Sequence, residues 1–295
     1  MKQGICFFKA HSRMGMKNIP IHGTKLNLGV EFGSNAVLTA KFLSQFKNST
    51  VVEYTCPNPE NISPRNFNRT LLREIKSFKK IINKNIKPGQ TQVVVGGDHS
   101  VAFPSILAIL DRLPKNKKLG YIQIDSHGDM NLSADSPTDN WHGMYLRPLI
   151  GNDFDIPKIN KLITKKLLPQ NMIFIGNLDL DEKERQFFES KKIKNITKQD
   201  LMKKTKEINN FLNKFIINFD HLHLSIDIDG FNHSIAPATG IPAQNGLLAK
   251  NTTPLLKIIS KHPDISIDLV EVNPKKPGIK KTTQLAQQLL TTLLK

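Results

Sequence analysis

The chain's pattern predicts an α/β fold: three layers, α/β/α, around a mostly parallel central sheet. Three observations carry this. Short, largely apolar runs such as Thr91–Val95 and Met172–Ile175 have the length and composition of strands buried on both faces. They alternate with longer segments whose apolar residues recur at helical spacing. Several strand-like runs end on glycines or on Asp and His, and in such sheets function gathers at the carboxyl ends of the strands. The 295 residues suit one large domain, and no repeat, linker or low-complexity block divides them, so residues 1–295 are expected to form a single domain.

In order along the chain, Gly4–Phe8 reads as a first strand and His11–Leu28 as a polar, glycine-containing loop. Gly29-Val-Glu-Phe-Gly33 precedes a helix expected over Asn35–Phe46, and Val51–Tyr54 reads as a strand. Pro57–Asn68, rich in Pro, Asn and Ser, reads as loop. From about Arg69 to Asn83, Leu71, Leu72, Ile75, Phe78, Ile81 and Ile82 mark one helix face. Lys87-Pro-Gly89 breaks the chain before the β-branched run Thr91–Val95, which stops at Gly96-Gly97. A helix over Ser100–Leu113 follows, then strands at Leu119–Ile124, Met172–Ile175, Leu222–Ile228 and Ile265–Val270. Helical patterns cover Glu182–Ser190, Asp200–Phe215, Thr253–Ser260 and Thr282–Leu294.

The formal net charge is +17, but it comes mostly from lysines spread along the chain, without the Arg forks and interleaved aromatics of a nucleic-acid surface. Solvated helix faces account for it, and no nucleic-acid partner is expected. No stretch is long and apolar enough to span a bilayer, so no membrane partner is expected either, and Ile5–Phe8 is too short for a signal-peptide core. The two cysteines, Cys6 and Cys56, do not make a disulfide framework, which favours a reducing, cytoplasmic setting.

Three strand ends carry ionisable residues where the pattern asks for apolar or turn residues. They are Gly96-Gly-Asp-His-Ser100, Asp125-Ser-His-Gly-Asp129 and Ser225-Ile-Asp-Ile-Asp229. A fourth is Asp268-Leu-Val-Glu-Val-Asn-Pro274. A single Asp after a strand is ordinarily a turn former or helix cap, and a single His an ordinary hydrogen-bonded residue. Six potential ligands at three strand ends, His99, Asp125, His127, Asp129, Asp227 and Asp229, call for another explanation. The alternate spacing of Asp125, His127 and Asp129 would put all three on one strand face, where burial is costly unless a cation neutralises them. Two imidazoles and four carboxylates without a cysteine favour a hard or borderline ion such as Mn²⁺ over structural zinc. Six ligands are more than one small ion needs, and bridging carboxylates would let them hold two.

These motifs, with Glu271-Val-Asn-Pro274, occur in the order and spacing of the ureohydrolase family, and the chain resembles the arginase branch from Gly29-Val-Glu31 to Glu271. The resemblance implies two Mn²⁺ ions, with Co²⁺ or another divalent metal as substitutes. His99, Asp125, Asp129 and Asp227 would hold one ion and Asp125, His127, Asp227 and Asp229 the other. It implies hydrolysis of L-arginine to L-ornithine and urea, with Asp129 carrying a proton to the leaving amine, His142 shuttling protons with solvent, and Glu271 beside the guanidinium. Asn131, Thr138 and Asn140 would meet the substrate α-carboxylate, and Asp181, with Glu184 nearby, the α-ammonium. It further implies a homo-oligomer, a trimer or hexamer. Pro237-Ala-Thr-Gly-Ile-Pro242 also matches an arginase loop.

The chain departs from the arginase pattern at Ser34, Ser126, Asp139, Leu178 and Asn232-His233. An inward-pointing Asp139 would repel the α-carboxylate. The alternatives are another ureohydrolase (agmatinase, guanidinobutyrase or formimidoylglutamase), a zinc deacetylase on a similar sheet, and a non-catalytic binder suggested by charge alone.

Overall fold

Alternation along the central strands builds the layers. The computed structural model describes residues 4–17 and 27–295, so residues 18–26 of the expected loop lie outside the described residues. Its strands are β1 (Ile5–His11), β2 (Ser49–Thr55), β3 (Thr91–Val95), β4 (Leu119–Ile124), β5 (Met172–Ile175), β6 (Lys194–Ile196), β7 (His221–Asp227) and β8 (Ile265–Val270). They form one sheet in the order β2-β1-β3-β8-β7-β4-β5-β6, and every pairing is parallel.

The helices are α1 (Gly33–Val37), α2 (Ala40–Leu43), α3 (Pro64–Asn85), α4 (Ala102–Arg112), α5 (Arg147–Ile150), α6 (Pro157–Asn160), α7 (Glu182–Ser190), α8 (Lys198–Lys203), α9 (Thr205–Ile216), α10 (Ala249–Ile259) and α11 (Ile279–Leu294). On one face, Val93, Val95, Ile122, Ile124, Leu224 and Ile267 pack with Leu212 of α9, Leu256 of α10 and Leu289 of α11. On the other, Tyr121 and Phe174 pack with Leu71 of α3, Phe103 and Ile106 of α4 and Phe188 of α7. Val94 joins Phe8 and Phe78 on that side, so neighbouring valines of one strand serve different clusters. The result is the expected three-layer fold.

Four local differences from the sequence reading have physical causes. The helix expected over Asn35–Phe46 breaks at Thr39, an extended residue whose hydroxyl accepts from the Phe42 amide and restarts the chain as α2. Helix α3 begins at Pro64, inside the expected loop, because proline at the first helical position gives up an amide that had no partner anyway. The helix expected over Asp200–Phe215 divides at Lys204 into α8 and α9, with a Thr197–Asp200 capping box opening α8. Strand β6 and helices α5 and α6 are three or four residues long, too short for periodicity to reveal. Among the described residues, no helix is long and apolar enough to cross a membrane.

Candidate metal centre

The four strands that end in ionisable motifs are neighbours in the sheet, in the order β3-β8-β7-β4. Their carboxyl ends therefore deliver those residues to one place. His99 opens a 3₁₀ turn after β3, Asp227 is the last residue of β7, Asp229 sits in the turn behind it, and Glu271 follows β8 directly.

The Asp125–Asp129 segment gets there differently from the strand-face expectation. β4 stops at Ile124, so Asp125, His127 and Asp129 are loop residues, and Asp129 has a left-handed backbone with φ of 56°. That backbone turn, rather than strand alternation, brings Asp129 beside His99. Glu271 is likewise left-handed, at φ 66°. Non-glycine residues adopt this conformation rarely and at a cost, which the surrounding contacts must offset. Around Asp125 the backbone is crowded: a Cβ at Gly176 would lie 1.8 Å from the Asp125 carbonyl oxygen, so only glycine fits there.

His99 Nδ1 lies 2.9 Å from Asp129 Oδ2 and 3.2 Å from Oδ2 of both Asp125 and Asp227. His127 Nδ1 lies 3.3 Å from Asp229 Oδ2 and 3.5 Å from Asp125 Oδ1. Two ligand-capable triads result, His99–Asp125–Asp227 and Asp125–His127–Asp229, with Asp125 common to both. Backbone amides hold the carboxylates in place. His127 N–H donates to Asp125 Oδ1 at 2.7 Å, Asp229 N–H to Asp227 Oδ1 at 2.8 Å, and His99 N–H to Glu271 Oε1 at 2.8 Å.

The electrostatics show whether these residues suit dications. Burial, then the charges of Asp229 and Asp125, push the Asp227 carboxyl well above the usual carboxylate range. Burial, then Asp98 and Asp229, do the same to Glu271. Asp125 is opposed by burial but held below its usual range by His127 and His99. Burial opposes the His99 cation, yet the charge of Asp129 and the close carboxylates of Asp125, Asp129 and Asp227 outweigh it and raise its pKa well above normal. Asp229 leads the same upward push on His127. By themselves, then, these side chains must share protons to tolerate one another. Two buried polar atoms, His99 Nδ1 and Asp229 Oδ1, have no hydrogen-bond partner. Oxygen and imidazole donors gathered around common points, over-supplied with negative charge and short of hydrogen bonds, fit divalent cations.

A cavity of about 270 Å³ opens above the cluster. It is lined by His99, His127, Asp129, Asp227, Asp229 and Glu271, and also by Asn131, Thr138, Asn140, His142, Asp181 and Glu184. Asp125 lies fully buried beneath. One cavity thus brings together every residue expected to touch substrate. Asn131 Nδ2 donates to Asp181 Oδ2 at 2.8 Å, while Thr138 Oγ1 accepts from the Asn140 amide at 3.3 Å. Glu184 Oε1 accepts from the Met130 amide at 2.7 Å, and burial pushes its carboxyl up to about 8. His142 is half-buried at the rim of the cluster. Burial, then the neighbouring His127 and His99, push its pKa down to about 4, so it is neutral near pH 7.

Asp139 does not repel a ligand from inside the cavity. Its carboxylate is taken up by Lys17 Nζ and by Ser133 Oγ, and it does not line the cavity. Leu178 packs against the apolar cluster beneath α7.

The sequence reading passed over several residues that complete the site. Asn27 donates to Glu271 and is itself held by Asn273 Nδ2 at 2.7 Å. Gln123, Tyr121, Tyr145 and Ser225 form a fully buried polar layer under His99, Asp125 and Asp129. One signal was available: Gln123 is the lone amide side chain in the otherwise apolar run Leu119–Ile124.

The model of the arginase family matches residues 13–295. An arginase of Staphylococcus aureus is 32% identical over 282 residues, covering 90% of this chain and 91% of that protein. The structure of Entamoeba histolytica arginase in complex with L-ornithine superimposes with a TM-score of 0.85 at 23% identity, over 99% of this chain and 97% of that one. Bacillus subtilis arginase superimposes with a TM-score of 0.81 at 27% identity, over 99% and 98%. With the family model spanning residues 13–295 and a relative 32% identical over 90% of it, this chain belongs to the arginase family.

Proposed function

We propose that the chain is a binuclear manganese hydrolase that cleaves L-arginine to L-ornithine and urea. One observation carries this reading: a single cavity has the carboxylate–imidazole cluster and Glu271 at its floor, and Asn131, Thr138, Asn140 and Asp181 on its walls. The floor suits a planar cation, and the walls offer an amide, a hydroxyl and a carboxylate to an amino-acid head group.

His99, Asp125, Asp129 and Asp227 would hold one ion, and Asp125, His127, Asp227 and Asp229 the other. Bound there, two dications would lower the pKa of water toward neutral and so would supply a nucleophile for the guanidinium carbon. The chain's own groups do the rest. Glu271, locked by the His99 amide and Asn27, pairs with the guanidinium and aims it. Asp129 passes a proton from the attacking water to the departing amine. His142, neutral near pH 7, exchanges that proton with solvent. Asn131, Thr138 and Asn140 take the α-carboxylate, and Asp181, oriented by Asn131, takes the α-ammonium. Two free cysteines, Cys6 and Cys56, suit a reducing cytoplasm, and the homo-oligomer rests on the family resemblance alone.

The test is urea release by Mn²⁺-loaded protein from a substrate panel. Arginine should be preferred over agmatine, guanidinobutyrate and formimidoylglutamate. Equal or reversed preference would move the chain to another ureohydrolase activity.

A further inference from the structure

Beneath the cluster lies a chain of buried donors whose direction can be worked out atom by atom. Gln123 Nε2 is 2.7 Å from Asp125 Oδ2 and 3.3 Å from Asp129 Oδ2. Only the amide nitrogen can face two carboxylates, because the oxygen there would set three acceptors together. Gln123 Oε1 must therefore accept, and Tyr121 Oη donates to it at 2.6 Å. Tyr145 Oη lies 3.3 Å from the same Oε1 and 3.2 Å from Tyr121 Oη, whose own proton is already committed. Tyr145 thus spends its one proton on these acceptors, and its oxygen is left to accept. The donor available to it is His99 Nε2, at 2.9 Å. Ser225 Oγ, 2.8 Å from the same nitrogen, is a second acceptor for that proton. All five residues are essentially buried, so water does not supply alternatives.

We infer that Tyr145 and Gln123 are positioning residues for the metal centre: Tyr145 keeps the His99 proton on Nε2 so that Nδ1 is the ligand atom, and Gln123 holds Asp125 and Asp129 in ligating orientation. The inference rests on the two-ion reading of the site. The two residues act on different parts of it. Tyr145 touches His99, which belongs to one candidate triad only, whereas Gln123 holds Asp125, which belongs to both. Outer partners that orient metal-binding histidines and carboxylates typically change affinity by about 10–100-fold when removed.

The experiment is calorimetric titration of the full chain, stripped of metal, with Mn²⁺ alone, beside thermal melts of the stripped proteins. Tyr145→Phe keeps the ring and removes only the hydroxyl. It should weaken one of the two binding steps by about 10-fold or more and leave the other within about threefold. Gln123→Met should weaken both steps. Tyr121→Phe, which removes a donor to Gln123 but leaves His99 its partner, should change neither step by more than about threefold. The KM for arginine at saturating Mn²⁺ should stay unchanged in Tyr145→Phe, since the hydroxyl meets the metal ligand and not the substrate. Wild-type protein that takes up no second ion overturns the two-ion reading and this inference with it. Wild-type protein that takes up two ions, with Tyr145→Phe binding both as tightly or losing both equally, overturns the inference alone. Should Gln123→Met fail to fold, the contrast between Tyr145→Phe and Tyr121→Phe decides it.

Discussion

Two buried groups of histidine and aspartate share the central strands of this sheet, and they differ in how their polar atoms are satisfied. In the first, at the strand ends, His99, Asp125, Asp129 and Asp227 crowd together with orphaned atoms and displaced pKa values. The second lies a few residues deeper. His223 Nε2 is 3.0 Å from Asp268 Oδ2, and its Nδ1 is 2.8 Å from Ser266 Oγ. Asp268 Oδ1 accepts from Ser105 Oγ at 2.6 Å, Ser105 Oγ from Gln92 Nε2 at 2.8 Å, and Gln92 Oε1 from Arg112 at 2.5 Å. Both His223 and Asp268 are fully buried, yet no polar atom of this group lacks a partner. One carboxylate faces one imidazole, and hydroxyls and amides close the remaining valences. Buried histidine and aspartate therefore do not by themselves announce a metal site. An excess of carboxylates over donors, with partnerless atoms among them, does.

The sharpest way to break this comparison is to change one residue in each group. Asp227→Asn removes a charge shared by both proposed ions. Activity should fall by at least about 1,000-fold, close to 4 kcal/mol of barrier, and calorimetry should find less than two ions bound. The stripped protein should melt no lower than wild type, because one of several repelling carboxylates is gone. Full activity with one ion would refute the binuclear mechanism. In the second group the pattern should invert. Asp268→Ala leaves His223 Nε2 and the Ser105 hydroxyl proton without their buried acceptor and should cost about 3 kcal/mol of stability, while the folded fraction binds two ions with wild-type affinity. Lost metal affinity with unchanged stability would mean that the closed network is functional after all.

Chelation separates the groups without mutation. At free metal about 100 times its dissociation constant, binding stabilises the native state by about 2.7 kcal/mol. Removing metal should lower the melting temperature of wild type and Asp268→Ala by the same increment, and that of Asp227→Asn by much less. An equal fall in all three would show that the stabilising ions sit elsewhere.

The contrast between the groups also marks how far the sequence could be read. The ends of β3, β4, β7 and β8 were legible because Asp and His interrupt strong apolar runs there, and local pattern suffices to see an interruption. The path of the chain beyond Ile124 was not. A left-handed backbone at Asp129 leaves no periodic trace, so spacing suggested a strand face where the molecule has a loop. Gln123 and Asp268 are polar residues inside largely apolar strands, and whether such a residue serves a metal ligand or a private network depends on partners such as Tyr145, 22 residues away, or Ser105, 163 residues away. Strand β6 and helices α5 and α6 escaped notice for a related reason. Elements of three or four residues draw their stability from what they pack against, and that is not written in their own composition.

The rim of the cavity offers a third kind of charge, neutralised by a pair that is only partly buried, and it should give the smallest effect. The Lys17 and Asp139 side chains are 16% and 30% exposed, so water screens them and their mutual attraction is worth about 1 kcal/mol at most. Lys17 also places its backbone amide 2.9 Å from Asn140 Oδ1, which ties this pair to the wall proposed to meet the α-carboxylate. Lys17→Met keeps that backbone contact and much of the side-chain bulk but frees the Asp139 carboxylate. The KM for arginine should then rise about fivefold, the equivalent of about 1 kcal/mol, with kcat unchanged, since the lost interaction is felt equally in ground and transition states. Agmatine, which lacks the carboxylate, should show no change. Adding Asp139→Asn to Lys17→Met should restore the KM, because the unpaired charge and not the missing ammonium is the cause. If agmatine suffers as much as arginine, the loop has moved and repulsion is not the explanation. If neither changes, Asp139 is too well solvated to matter, and its departure from the arginase pattern is silent in substrate choice.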